Sequence, residues 1–353
     1  MAGRTAVGLD IGTTGVRAAE ISLGRGGSLE HFGQVALPTG AVVGGEVVDE
    51  EAVAAALRRL WKEAGFSTKK VALGVANQKV VVRQIDLIWM ERDQLQKALA
   101  FQVQDHIPMP VEDAVLDFHP IEEFTNEDGA RMLRVLLVAV ARDMVVSALH
   151  AVERAGLNPV TVDLVSFALI RAAARSSEFS LDSQATAIID IGARVTNIVV
   201  HQNGVPRFVR ILLMGGSDLT DAIAERLGVP AEQAEIVKQQ FSSLALPGER
   251  EAHPASRALE TSVRAFVEEV RGSLDYYRAS GGSVPIGRLL ISGGASRFSD
   301  LSHRLSAATR LPVDIANPIE GLRVGKTGLS AEQLSHVEPL AAVSVGLALG
   351  AAS

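Results

Sequence analysis

The chain has 353 residues, 47% of them hydrophobic, and a formal net charge of −7 with acidic and basic residues interspersed; that suffices for two or three domains with sizeable cores and lacks the basic footprint of a nucleic-acid binder. It contains no cysteine, which excludes disulfides, thiolate metal centres and cysteine nucleophiles and favours a reducing compartment. Residues 1–6 run straight into a strand with no secretory leader, and the longest apolar stretch, Leu340–Ala352, is too short to span a bilayer, so a soluble intracellular protein is expected.

Val7–Glu20 reads as a β-hairpin: an apolar run ending in Asp10, a turn of Gly12, Thr13, Thr14 and Gly15, then a second extended run. Small residues at its tip let a phosphate reach the backbone N–H groups, and several N–H groups converging on one concavity bind an anion without many cationic side chains. Asp10, leaving the strand just before the turn, can face Mg2+ through coordinated water. His31–Leu37 adds a third strand. After a loop, Asp49 caps a helix with the stripe Val53, Ala56, Leu57, Leu60 and Trp61, closed by Gly65, and Val71–Val75 follows as a strand.

From Val80 the pattern changes. Val80–Leu87 is a strand; Asp93 caps a helix with Leu95, Ala98, Leu99 and Val103 on one face; Ala114–Ile121 and Arg131–Val140 pair across the turn dipeptide Asp128-Gly129. Asp143 starts a helix bearing Val145, Ala148, Leu149 and Val152, and Val160–Leu164 is the next strand. This order predicts a small α/β module, Val82–Leu157, set into the first domain.

The second half repeats the opening. Ile188–Val200 is again strand, turn and strand, with Asp190 and Gly192 repeating Asp10 and Gly12 at an offset of 180 positions, so the two hairpins are expected to close on one ligand from opposite sides. Pro206–Leu213 leads into Gly215 and Gly216, directly before a helix capped by Ser217 or Asp218, and a helix start with free N–H groups is a further place for phosphate. Ala231–Ser242 and Thr261–Arg278 read as helices joined by a loop holding Pro247 and Pro254. Arg288–Ile291 is a buried strand entering Ser292–Arg297, and Ser299 or Asp300 begins another helix. Leu311–Ile315 is a late strand, residues 324–333 a polar loop, and His336–Leu349 a single helix of small residues.

Together these motifs resemble the actin-like ATPase superfamily of actin, the heat-shock ATPase chaperones, sugar kinases and FtsA. The resemblance implies an α/β, actin-like fold in which two ribonuclease H-like domains clamp a nucleotide. Residues 1–81 and 158–184 form the first domain, 82–157 a small partner-binding insert, 185–339 the second domain, and 340–353 a helix returning to the first. It implies ATP and Mg2+ as cofactors, with Asp10 and Asp190 holding the metal through water. The first phosphate motif contributes Asp10, Gly12, Thr13, Thr14 and Arg17, where the family usually carries Lys. The second contributes Asp190, Gly192 and Thr196, alongside Gly215 and Gly216. Glu235, Lys238 and Ser242 have the chaperones' spacing for ribose and base. Gly293, Gly294, Ser296 and Arg297 match the adenosine motif, with the planar guanidinium stacking on adenine. ATP binding is expected and a weak ATPase is left open.

Within that superfamily, the position of the insert and the stretches Gly8–Arg17, His106–Pro110, Leu116–Phe118, Glu153–Pro159 and Val345–Leu349 are similar to the PilM family of type IV pilus assembly proteins. The similarity implies a cytoplasmic ATP-binding scaffold, recruited to the inner face of the cytoplasmic membrane by the N-terminal tail of a PilN-like inner-membrane protein and working with other pilus platform proteins. Neither nucleic acid nor direct membrane insertion is expected. The tail would lie extended between insert and first domain, where Trp89, Met90 and Phe101 are either lining or core. The alternatives are a sugar-type kinase, for which Asp163 is the candidate base, and an FtsA-like membrane-tethered cytoskeletal protein.

Overall fold

Strands β1 (Thr5–Ile11) and β2 (Gly15–Ser22) pair antiparallel with Asp10 opposite Arg17, the first of two hairpins around which the domains are built. The computed structural model describes residues 5–23, 26–174, 184–243, 253–280, 283–298, 300–325 and 327–351; the expectations placed on Pro247 and Ser299 lie outside these. In chain order β3 (Ser28–Ala36), the small hairpin β4 (Val42–Val43) and β5 (Glu46–Val47), α1 (Glu50–Ala64) and β6 (Lys70–Val75) follow. The Asp49 carboxylate accepts from Ala52 N at 2.9 Å to start α1, and Gly65, at φ 68°, ends it in the left-handed region.

The insert comprises β7 (Val80–Ile88), α2 (Arg92–Gln102), β8 (Ala114–Thr125) and β9 (Arg131–Ala141), its three strands ordered β7-β9-β8. Helix α2 starts at Arg92, so Asp93 lies in its first turn and does not cap it. Then come α3 (Arg142–Arg154), β10 (Asn158–Leu164) and α4 (Val165–Ala173). Although α3 follows the insert without a break, its Ala148, Ala151 and Val152 share a core with Leu57 and Leu60 of α1. The first sheet runs β10-β6-β1-β2-β3-β16, β16 being the short strand Arg323–Val324.

The second domain repeats the meander with β11 (Ala185–Ile191), β12 (Thr196–Gln202) and β13 (Val205–Leu212), then α5 (Gly216–Leu227), α6 (Ala231–Ser243) and α7 (Ser256–Ala279). Helix α7 begins five residues before the expected Thr261. Strand β14 (Ile286–Ser292), α8 (Leu301–Thr309) and β15 (Val313–Ile315) complete the sheet β13-β12-β11-β14-β15. The helix expected over 336–349 is two, α9 (Ala331–Val337) and α10 (Ala342–Gly350), with the break at Pro339, which has no N–H to continue a helix. Among the described residues no helix is long and apolar enough to cross a membrane.

Helices α4 and α10 fill the space between the two sheets. Val165, Ala168, Leu169, Val343 and Leu347 share one core with Ala72 of the first sheet and Ile188, Val199 and Leu290 of the second. Glycines permit the close approach: a Cβ on Gly8 would stand 2.0 Å from Ser344 O, and one on Gly346 1.9 Å from Ala168 O. The substitution Gly346→Ala is therefore expected to cost at least about 1–3 kcal/mol through overpacking against backbone, read as a lower urea midpoint at unchanged slope. An unchanged midpoint contradicts the contact.

Candidate functional site

The hairpins β1–β2 and β11–β12 open onto one cleft of about 830 Å³, within the size range of ligand pockets. Their turns are built alike. Gly12 N donates to Gly15 O at 3.0 Å, and Gly192 N donates to Val195 O at 3.0 Å. Asp10 lies opposite Arg17, as Asp190 lies opposite Asn197. Both aspartates line the cleft, together with Gly12, Thr13, Thr14, Arg17 and Gly192.

Burial raises the pKa of Asp10, and the neighbouring Arg17 guanidinium works against that rise. Asp190 is pushed up to about 6, chiefly by burial and further by the Asp10 charge, while hydrogen bonds from Ser292 (Oγ to Oδ1, 2.8 Å) and Asn197 hold it down. Two buried carboxylates, the charge of Asp10 adding to the cost of ionising Asp190, invite a cation. Among the described residues no group of three or more His, Asp or Glu could ligate a metal directly. The pair therefore fits a hydrated Mg2+, which keeps several waters, better than a metal caged by protein.

The rest of the lining comes from the second domain's helices and the β14 turn. Lys238 Nζ lies 2.7 Å from Glu235 Oε2 and donates to Gly216 O (2.9 Å) and Thr220 Oγ1 (2.8 Å). Ser242, one turn on, donates to Lys238 O at 3.0 Å. Gly293 and Gly294 bring backbone to the cleft edge, and the Arg297 guanidinium lies against the His336 ring, Nη1 2.7 Å from Nε2.

Three expected contacts are absent from the lining. Thr196 is buried and donates through Oγ1 to Met214 O at 2.8 Å; Ser296 turns its hydroxyl back onto Gly293 O at 2.7 Å. Gly215 sits behind the turn, where a Cβ would be 2.4 Å from Gly192 O. The α5 start is likewise not a set of free donors. Gly216 N donates to Gly192 O (2.9 Å), Ser217 N to Ala193 O (2.8 Å) and Gly215 N to Asp218 Oδ2 (2.7 Å). These bonds hold the second hairpin in shape, and of the three donors Gly216 and Ser217 border the cleft. Asp163 is not part of the lining and pairs with Arg171.

Sequence reasoning missed Asn197, Gln239 and His336, all of which line the cleft. The hairpin repeat, which sets Asn197 where Arg17 stands, was the available signal for the first; nothing in spacing pointed to His336. The β4–β5 hairpin also contributes, through Gly45 and Val47, and a Cβ on Gly44 at its tip would lie 3.9 Å from Leu213 Cδ2 of the second domain. In the insert, Trp89 lies beneath the Arg131 guanidinium (3.7 Å to the ring centre) and Met90 joins the core, whereas Phe101 is 86% exposed.

Because the folded pKa of Asp190, about 6, exceeds the ordinary 3.8, its contribution to stability is complete below 3.8 and is lost as pH rises through about 6. Asp190→Asn keeps an acceptor for Ser292 and removes the charge. Relative to wild type it is expected to gain stability at pH 8 over pH 4 by on the order of 2–3 kcal/mol, measured by urea unfolding. Equal differences at both pH values contradict the burial of this charge.

A family model described as type IV pilus assembly protein PilM matches residues 8–352. Cell division protein FtsA of Bacillus subtilis (strain 168) is 26% identical over 256 residues, 67% of this chain and 57% of that protein, so the chain spans little more than half of it. FtsA of Pseudomonas aeruginosa is 25% identical, with 91% of this chain and 85% of that protein covered. Among solved structures, a PilM–PilN type IV pilus biogenesis complex superposes with a TM-score of 0.85 at 27% identity over 99% of this chain and 98% of that one. MreB5 of Spiroplasma citri bound to ADP gives 0.56 at 13% identity over 97% and 94%, a likeness of fold alone. The architecture is the actin-like ATPase fold.

Proposed function

The chain belongs to the PilM family of type IV pilus assembly proteins, and from that membership we propose that it is a cytoplasmic ATP-binding scaffold that holds the N-terminal tail of a PilN-like inner-membrane protein. The observation that carries the nucleotide half is the convergence of Asp10 and Asp190, from opposite halves of the chain, on one cleft that also takes in Glu235, Lys238, Gly293, Gly294 and Arg297. The two glycine turns would receive the phosphates, and α6 with the Gly293–Arg297 turn would hold ribose and base. Mg2+, when bound, would be held through water by Asp10 and Asp190 and would supply positive charge to the phosphates.

The partner half rests on the insert. Residues just before strand β7 clamp the cleft-lining β4–β5 hairpin: Lys79 Nζ lies 2.9 Å from Glu46 Oε1 and 3.3 Å from Asp143, and Asn77 donates to Glu46 at 3.1 Å. Beyond the clamp, Val80, Val138 and Val140 of the insert share a cluster with Ile211 of β13. Closure of the two domains on a nucleotide would therefore move surfaces on which the insert rests, and with them a groove holding an extended peptide. Recruitment to the inner face of the membrane would follow from the partner's anchor.

Mg-ATP at about 100 times its Kd is expected to stabilise the folded chain by about 2.7 kcal/mol and so raise its melting midpoint. A peptide of a PilN-like tail is expected to be retained by the immobilised chain, and a scrambled peptide is not. No thermal shift at millimolar Mg-ATP removes the nucleotide half of the proposal, and equal retention of both peptides removes the partner half.

A further inference from the structure

The cleft asks for positive charge, and the cations that line it are unequally available. Lys238 is taken up by Glu235, Thr220 and Gly216 O. Arg297 lies against His336. Arg194, on the second hairpin's turn, is not part of the lining and pairs with Asp218 and Asp221 at 3.1 and 2.5 Å. Arg17 differs from these. It lines the cleft directly opposite Asp10 in the β1–β2 register, and its charge lowers the pKa of both Asp10 and Asp190.

The Arg17 contacts leave donors in reserve. Its bond to Asp10 is single and long, Nη1 to Oδ2 at 3.5 Å, and its buried Nε has no partner. A guanidinium carries five N–H donors in a planar fork, so one carboxylate contact does not exhaust it. The fork also lies on the phosphate turn itself, since a Cβ on Gly12 would be 3.3 Å from Arg17 Nη1. A group in that place can face a carboxylate on one side and a phosphate on the other. An ammonium, as a compact point charge, has no such fork.

We infer that Arg17 is a built-in counter-cation at the phosphate end of the cleft, tying Asp10 to the nucleotide's phosphates, so that polyphosphate binding by this chain does not require a divalent metal. The inference rests on the cleft being the nucleotide site proposed above. A metal ion and the guanidinium would answer to the same carboxylates, which is why Mg2+ adds little affinity while Arg17 is in place.

The test is calorimetric titration of ATP into the whole chain, in Mg2+ and in EDTA, for wild type and Arg17→Lys, with each protein's nucleotide-free melting midpoint confirming that it is folded. Wild-type Kd is expected to agree within about threefold between the two conditions. Arg17→Lys is expected to bind in Mg2+ but to weaken more than about threefold in EDTA, since the ammonium cannot span both partners and the metal must. A wild-type loss beyond about threefold in EDTA, or an Arg17→Lys protein indifferent to EDTA, overturns this inference and leaves the nucleotide site standing. Absence of wild-type binding under both conditions overturns the nucleotide site and the inference with it.

Discussion

The backbone of α10 lies against β1 and α4 with no side chain between them, at Gly8 and Gly346. That contact sets the geometry of the molecule. Gly8 is two residues before Asp10, so the helix that joins the two sheets is fastened to the strand that delivers the first carboxylate. The opposite side of the same core carries Ile188 of β11, two residues before Asp190. The separation of the two hairpin tips is thus set by helix packing in an interior of near-crystalline density, where small displacements are resisted. A cleft between domains acquires a defined width this way without any covalent tie, and the chain has no cysteine to supply one.

Within that frame, backbone donors and side-chain charges divide the work. The α5 start could have offered its N–H groups to an anion. Instead they grip the carbonyls of Gly192 and Ala193, which makes the second hairpin a stiff wall. The anion-attracting charge comes from the other hairpin, through Arg17. The pseudo-symmetry of the two halves is therefore structural, and the electrostatics are one-sided: a charged Arg17 faces Asp10, a neutral Asn197 faces Asp190. Burial raises both carboxylates, and Asp190, with no guanidinium opposite it in the register, is the one driven up to about 6.

Much of this was legible in the sequence because it is written in short-range patterns. The Asp-x-Gly turns, the Asp49 cap and the apolar stripe of α1 each encode their conformation within a few residues, and the hairpin repeat announced two similar domains. What escaped depended on partners far along the chain. Thr196 and Ser296 look like ligands until the carbonyls of Met214 and Gly293 are seen to take their hydroxyls. His336 lines the cleft from α9, a helix that the sequence pattern merges with α10 across Pro339. Gly215 reads as a phosphate glycine, yet its missing side chain makes room for a neighbouring turn.

The tip of the β4–β5 hairpin comes to Leu213 across the rim of the cleft, from one domain to the other. Opening of the cleft would carry the two sides of this approach apart. Since Glu46 fastens the same hairpin to Lys79 at the root of the insert, a shift of the hairpin on such opening would be handed on to the insert.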